Sequence, residues 1–251
     1  MPSMYEIYDR FAREYDELVV CEDYEGNLRR ALHGLAEWRD AVVIESGIGT
    51  GRVTRSYVSE ASKVIGIDRS AHMLEQAARN LAPWNGKIRL LSGSHRALPL
   101  PDGVADIFVE GWAFGHVAMD EPQAVSDVAA ALVTEAARVT KPGGTVLLIE
   151  TLGTNVDGPG APHPVLEALY TELEKRHGFA RTVISTSYKF ASLNEARTLM
   201  GFFFGEEMGT AVAHRLERAE KKTADGTSDG LIIPEYTGIW SRAARPSGPR
   251  A

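Results

Sequence analysis

Short apolar runs alternate with helix-spaced apolar positions through the middle of the chain. Ala41-Val42-Val43-Ile44-Glu45, Lys63-Val64-Ile65-Gly66-Ile67-Asp68, Lys87-Ile88-Arg89-Leu90-Leu91, Ala105-Asp106-Ile107-Phe108-Val109 and Thr145-Val146-Leu147-Leu148-Ile149 are brief and rich in Val and Ile. Runs of that kind suit strands of a parallel sheet covered on both faces. The gaps carry helical patterns. Arg52 to Glu60 follows the first run, and Ser70 is an N-cap ahead of an apolar stripe of Met73, Leu74, Ala77, Ala78 and Leu81. Pro122 to Val139 places Val125, Val128, Ala129, Leu132, Ala136 and Val139 on one side and stops at Lys141-Pro142-Gly143-Gly144. Strand–helix alternation with short links predicts an open, doubly wound α/β sheet with helices on both faces.

Two flanks lie outside this alternation, and the chain has no internal repeat. Met4, Ile7, Tyr8, Phe11, Tyr15 and Leu18 predict one amphipathic helix over Met4 to Val19. Beyond Thr151, His163 to His177 reads as a helix, Thr182 to Phe190 as a strand, and Leu193 to Leu216 as one or two helices. Leu231-Ile232-Ile233 and Thr237-Gly238-Ile239-Trp240 read as a closing strand. Ala219 to Gly230 is a polar loop, and Arg245 to Ala251 is expected to be disordered.

Composition narrows the class. The chain has 251 residues, 44% hydrophobic and 24% charged, with a formal charge of −7. A protein that grips a phosphate backbone carries a basic surplus or stripe, so nucleic acid is excluded as the expected partner. Cys21 is the single cysteine; it makes no internal disulfide and fits a reducing compartment. His33, His72, His163, His177 and His214 are scattered without metal-ligand spacing, so no metal site is expected. No apolar run reaches 18 residues, and the first residues lack a basic region ahead of an apolar stretch. The expectation is a cytoplasmic protein without a membrane span.

The densest chemistry is Glu45-Ser46-Gly47-Ile48-Gly49-Thr50-Gly51-Arg52, a strand entering a glycine-rich turn. Glycines let backbone amides approach a ligand, and a following helix N-terminus favours negative charge. The dinucleotide fingerprint G-x-G-x-x-G fails because Arg52 holds its last place, and no Gly-Lys-Ser/Thr makes a phosphate loop. Asp68 ends the second run, 21 residues after Gly47, where a carboxylate can accept both hydrogen bonds of a ribose diol or cap a helix. Leu91 to Gly103 follows the third run, at the crevice side of such a sheet.

These residues resemble the class I S-adenosylmethionine-dependent methyltransferases of the small-molecule kind. The resemblance covers roughly Tyr15 to Leu152, with a weaker match in the last third. It rests on Glu45 to Gly51, on Ile65-Gly66-Ile67-Asp68 followed by Met73-Leu74, on Leu98 to Asp106, and on Arg138-Val139-Thr140-Lys141-Pro142-Gly143-Gly144, in that order. It implies a Rossmann-like seven-stranded sheet with an N-terminal helical lid, and S-adenosyl-L-methionine as cofactor. It implies further that Glu45 orients the methionine end of the cofactor. Gly47, Gly49 and Gly51 lay backbone against it, Asp68 holds the ribose, and Arg69 and Met73 border the adenine. Ser94 and His95 stand where the family has an Asp followed by a small residue, so a side-chain bond to the adenine is missing or made differently. The fourth strand ends in Glu110, a further cofactor-side candidate, then Gly111-Trp112-Ala113-Phe114-Gly115-His116. This departs from the Pro-Pro motif of enzymes that methylate bases or amides.

Trp112 reads as pocket wall or as core, and His116 as general base or surface residue. Tyr5, Tyr8, Phe11 and Tyr15 form an aromatic stripe, and the resemblance makes it a lid over the site, above all through Tyr15. Gly201-Phe202-Phe203-Phe204-Gly205 lines a cavity or packs an added helix onto the sheet. Together these readings predict one domain: lid 1–40, cofactor-binding core 41–152, substrate wall and closing strands 153–243, tail 244–251. The expected activity is in-line methyl transfer to an oxygen, nitrogen or carbon atom of a small, uncharged or cationic acceptor. His116, Trp112 and Tyr15 are the catalytic candidates, and the oligomeric state is open. Alternatives are cyclisation or another reaction of the sulfonium on the same fold, an NAD-linked oxidoreductase, and a cofactor-binding protein without turnover.

Overall fold

A computed structural model describes residues 3–222 and 231–244. The central sheet holds β1 (Val42–Ser46), β2 (Lys63–Asp68), β3 (Ile88–Ser92), β4 (Ala105–Gly111), β5 (Thr140–Thr154), β6 (Ala180–Ser185) and β9 (Glu235–Ala243). Their order is β3-β2-β1-β4-β5-β9-β6. The first five run parallel, and β9 pairs antiparallel with both β5 and β6. Two more strands, β7 (Tyr188–Phe190) and β8 (Leu231–Ile233), form a separate small sheet. The helices are α1 (Met4–Arg10), α2 (Ala12–Val19), α3 (Asn27–Leu35), α4 (Ala71–Asn80), α5 (Phe114–Asp120), α6 (Val125–Val139), α7 (Pro164–Lys175), α8 (Leu193–Phe204) and α9 (Glu206–Lys222).

The period-two alternation of each strand sorts its side chains onto two cores. Ile44, Ile65, Ile67, Phe108, Val146 and Leu148 face α5, α6 and α7 with Leu132, Val133 and Leu169. Val43, Val64, Ile107, Val109, Leu147 and Ile149 face the other way, onto Leu28, Leu32, Trp38 and Tyr57. A third cluster joins Leu18 to Tyr188, Phe190, Met200, Val212 and Ile233, so it ties α2 to the small sheet, α8 and α9.

Several elements differ from expectation for identifiable reasons. The N-terminal helix breaks at Phe11, whose backbone is non-helical at φ −129°, ψ 36°. The helix predicted over 52–60 shrinks to a 3-10 turn at Thr54–Ser56. Its Val, Thr, Ser and Tyr residues have low helix propensity, and the Thr54 and Tyr57 hydroxyls are taken by Glu45. The strand predicted over 182–190 divides at Thr186, whose amide donates to Glu235 O at 2.9 Å. α3 was not foreseen; its Leu28 and Leu32 belong to the sheet's own core, although the lid was expected to extend to residue 40. The polar loop begins as the end of α9, and 223–230 lie outside the described residues, as does the tail expectation over 245–251. Among the described residues no helix is long and apolar enough to cross a membrane, and no group of His, Cys, Asp and Glu is arranged to hold a metal.

Candidate active site

The carboxyl ends of β1 and β2 lie side by side, and the Gly47 amide donates to Ile67 O at 2.7 Å. That bond curls the turn over the strand ends. Gly47, Gly49 and Gly51 all have left-handed φ, at +77°, +53° and +86°, a region L side chains resist. Space around them differs. A Cβ on Gly47 would meet Ala113 at 2.7 Å, one on Gly51 would meet Leu81 at 2.7 Å, and one on Gly49 would meet nothing within 4 Å. Gly49 therefore presents open backbone to the cavity in front of it. Asp68 braces the turn from below: its Oδ2 accepts from the Gly49 amide and its Oδ1 from the Ser70 amide, both at 2.9 Å. A carboxylate has about four lone-pair sites, so these bonds leave capacity for a diol. Burial raises the Asp68 pKa against those amides.

A small cavity of about 90 Å³ fronts this turn. Its walls include Gly47, Gly49, Asp68, Arg69, Met73 and His95, with Trp112, His116 and Tyr15 beyond them. The His95 Nδ1 lies 2.7 Å from Ser46 Oγ. Burial first, then the charges of Arg69 and His116, push its pKa down to about 4, so the ring is neutral at neutral pH. The spare acceptor capacity of the Asp68 carboxylate and the open backbone face of Gly49 fit a nucleoside with a free ribose diol.

Four expected cofactor residues stand elsewhere. Glu45 turns its Oε2 inward to the Thr54 hydroxyl at 2.6 Å and to the Tyr57 hydroxyl, and burial lifts its pKa to about 7. It braces the segment after the turn and is not part of the cavity wall. Gly51 packs on Leu81. Ser94 closes a tight turn, accepting from Arg96 N at 3.3 Å. Glu110 is fully buried; its Oε1 accepts from the Ala113 and Phe114 amides, and its Oε2 has no partner within its reach in hydrogen-bonding geometry. Glu150, at the neighbouring strand end, accepts from the Gly115 amide at 2.6 Å. Burial raises both carboxyl pKa values, Glu150 to about 7, and at Glu110 the neighbouring charge of Glu150 raises it further. The pair clamps the start of α5, and a Cβ on Gly115 would meet Glu150 Oε2 at 2.8 Å.

The clamp fixes an unusual turn. Trp112 is left-handed at φ +53°, a conformation costing of order 1–3 kcal/mol, and its amide donates to Ile149 O at 2.7 Å. The indole packs on the core and also faces both cavities, so wall and core are the same residue. The Arg52 guanidinium sits 3.7 Å from the ring centroid and bonds the buried Glu22 carboxylate. His116 is partly buried with its Nε2 3.1 Å from the Tyr8 hydroxyl. Burial lowers its pKa, opposed by Asp120 and assisted by Arg69, which leaves a neutral imidazole.

On the far side of Trp112 opens a second cavity of about 420 Å³. Leu18, Leu166, Phe203, Phe204 and Met208 give it an apolar body, and Glu22, Arg52, Glu150, Thr151, Thr154, Tyr188 and Glu235 give it polar points. Phe203 and Phe204 line this space, while Phe202 packs edge-on against Phe11 at 5.7 Å. Tyr8, Tyr15, Trp112 and His116 line both cavities. Sequence reasoning singled out the last three of these as catalytic candidates, named Tyr8 within the aromatic stripe of the lid, and overlooked Glu22, Glu150 and Glu235 and the place of Arg52 in the wall. Glu150 carried a readable signal, a carboxylate closing an apolar strand like Glu45 and Asp68; Glu235 carried none.

Known proteins give the same outline. The family described as methyltransferase domain matches residues 44–148. An uncharacterized methyltransferase of Geobacillus kaustophilus is 31% identical over 58% of this chain and 62% of its own length. A demethylmenaquinone methyltransferase of Symbiobacterium thermophilum is 31% identical over 58% of this chain and 57% of its own length. The chain thus spans less than two thirds of these curated relatives. The YcgJ protein of Bacillus subtilis superposes with a TM-score of 0.53 at 16% identity, covering 89% of this chain and all of that one. That likeness bears on the fold.

Proposed function

We propose that the chain is a class I S-adenosylmethionine-dependent methyltransferase and that it transfers a methyl group to an oxygen, nitrogen or carbon atom of a small-molecule acceptor. The observation that carries this reading is the junction of the two cavities at Tyr8, Tyr15, Trp112 and His116. One cavity has the Asp68 carboxylate beside open glycine backbone and the other an apolar body, and their only common walls among the described residues are those four side chains.

When bound, S-adenosyl-L-methionine supplies an electrophilic methyl group on a sulfonium whose charge is lost on transfer. The protein's share is to hold and to exclude. Asp68 takes the ribose diol, Arg69 and Met73 border the base, and neutral His95 lies beside the glycine turn without adding a competing charge. Trp112 and Tyr15 wall the junction. Aligning two reactants is worth roughly 7–11 kcal/mol of barrier, and here the Glu110–Glu150 clamp fixes the turn that does so. His116, held neutral by burial and bonded to Tyr8, accepts a proton where the acceptor has one to lose.

The first two helices serve as the lid. Ser70 Oγ donates to Tyr8 O at 2.9 Å, Thr50 Oγ1 to Asp16 Oδ1 at 2.8 Å, and Asn80 Nδ2 to Asp16 Oδ2 at 3.0 Å. The 90 Å³ they enclose is below the roughly 300–1,000 Å³ of small-molecule sites, so α1 and α2 swing aside to admit the cofactor. In this reading the lid is 4–19, and 27–40 belongs with the core over 41–152. Residues 153–222 and 231–243 then contribute the acceptor wall.

The test is incubation with methyl-labelled S-adenosylmethionine and a broad panel of small acceptors. Release of S-adenosylhomocysteine in step with labelled product is expected. Cofactor binding with a rearranged acceptor and no S-adenosylhomocysteine overturns methyl transfer in favour of another reaction on the same fold.

A further inference from the structure

Glu235 opens β9 opposite Thr154 of β5, where the small sheet leaves the main one. It is 3% exposed and lines the larger cavity. Thr151 Oγ1 donates to its Oε1 at 2.9 Å. The Thr154 hydroxyl lies close enough to favour its ionised form, yet Oε2 has no partner in hydrogen-bonding geometry. Buried carboxyl oxygens are almost always satisfied, because leaving one bare forfeits its hydration without return. Oε2 is itself shielded, but Glu235 lines the cavity and a terminal carboxyl torsion is soft, so a turn of the group presents this oxygen to a ligand that arrives there.

The charges around it state which group. Glu22, Glu150 and Glu235 all line the cavity, and Arg52 is its one cation among the described residues. Arg52 is already bound to Glu22 and stacked on Trp112, and the Tyr188 hydroxyl is turned to Glu22 as well. An anionic ligand meets carboxyls and no available cation. Burial, reinforced by the charge of Glu22, pushes the Glu235 pKa up to about 8, so ionisation here waits for a positive partner. An ammonium brings that charge and three donors, matched to Oε2 and the neighbouring threonine oxygens. Leu18, Leu166, Phe203, Phe204 and Met208 receive an apolar body.

We infer that the acceptor is an apolar molecule anchored by a protonated amine, and that the unpartnered Oε2 of Glu235 receives that amine. The inference rests on reading the larger cavity as the acceptor site, and it concerns the anchoring group rather than the atom that is methylated.

Binding tests it without turnover. The probes are 2-(1-naphthyl)ethylamine, the matching alcohol and the matching carboxylic acid, titrated calorimetrically into the whole chain with and without S-adenosylhomocysteine. The amine should bind at least about tenfold more tightly than the alcohol, and the acid weakest of the three. Glu235→Gln should bring amine and alcohol within about threefold of each other, and Glu235→Asp should keep the preference. Equal affinities, absent amine binding, or a preference that survives Glu235→Gln overturns the anchor. If Glu235→Gln also loses S-adenosylhomocysteine, its fold has changed, and the wild-type selectivity with Glu235→Asp decides. Failure of the wild type to bind S-adenosylhomocysteine sinks the methyl-transfer reading instead, and the amine preference is still read from the titration without it.

Discussion

The two cavities share four side chains and are otherwise built in opposite ways. Apart from Tyr5 and Asp9 of α1, the smaller is made from short pieces of chain: the turn after β1, the end of β2, the start of α4 and the loops after β3 and β4. Each piece sits at the carboxyl end of a parallel strand, and neighbouring ends are held by ladder bonds such as those of β1 to β2. The larger is gathered from α2, Arg52, the ends of β5 and β9, α7, α8 and α9. Nothing but packing brings Leu18, Leu166, Phe203 and Glu235 together. One region is therefore set by local backbone chemistry and tolerates little change, whereas the other is a wall of exchangeable side chains around a few fixed polar points. A fold can keep the first and vary its substrate through the second.

Arg52 is where the comparison is most exposed to test, since it belongs to the glycine turn in sequence and to the acceptor wall in space. Its pair with Glu22 is buried on both sides, with side chains 15% and 3% exposed. Removing one partner of such a pair strands the other charge and costs about 3–5 kcal/mol. Arg52→Met should lower the urea unfolding free energy by that amount, and Arg52→Met with Glu22→Leu should recover most of it. A loss below about 1 kcal/mol would mean that the two regions are not joined through this pair.

The same contrast explains what the sequence disclosed. Val43 to Gly51 and Ile65 to Asp68 were legible because strand, turn and carboxylate are consecutive and their spacing is fixed by the backbone. Asp68, Gly47, Gly49, Met73 and His95 all come to one cavity. Glu45 was read into that cavity because it closes the apolar run, but the hydroxyls of Thr54 and Tyr57 hold its Oε2 inward. The acceptor wall was illegible for a different reason. Periodicity identifies the buried face of a helix without saying what it meets, and Phe203 is as good a core residue as a wall residue. Glu235 needed the antiparallel register of β9 against β5 before its place could be known. The helix break at Phe11 was hidden in a similar way, because its non-helical backbone leaves the apolar spacing of Met4 to Leu18 uninterrupted.

A second substitution asks whether the local region is as self-contained as its construction implies. Asp68→Ala removes the carboxylate proposed to hold the ribose and the brace of the Gly49 and Ser70 amides. Charged hydrogen bonds contribute about 1.5–3 kcal/mol, so S-adenosylhomocysteine should bind roughly thirtyfold more weakly while the naphthylethylamine affinity stays unchanged. Unchanged cofactor affinity would remove Asp68 from the ribose. A fall in both affinities would show that the turn and the acceptor wall move as one body.

The smallest expected effect lies at the junction itself. Tyr8→Phe keeps the ring that walls both cavities and removes the hydroxyl 3.1 Å from His116 Nε2. One such bond is worth about 1 kcal/mol, so turnover should fall about fivefold with both ligand affinities retained. The pH dependence separates two explanations of that loss. Burial is the first cause that lowers the His116 pKa, ahead of any neighbour, and the phenylalanine preserves burial. The ring then stays neutral in the variant, and the fivefold deficit should be constant from about pH 6.5 to about pH 8. A deficit that deepens toward acid pH would mean that the hydroxyl, and not burial, keeps the imidazole unprotonated, and Tyr8 would then set the charge of the junction as well as its shape.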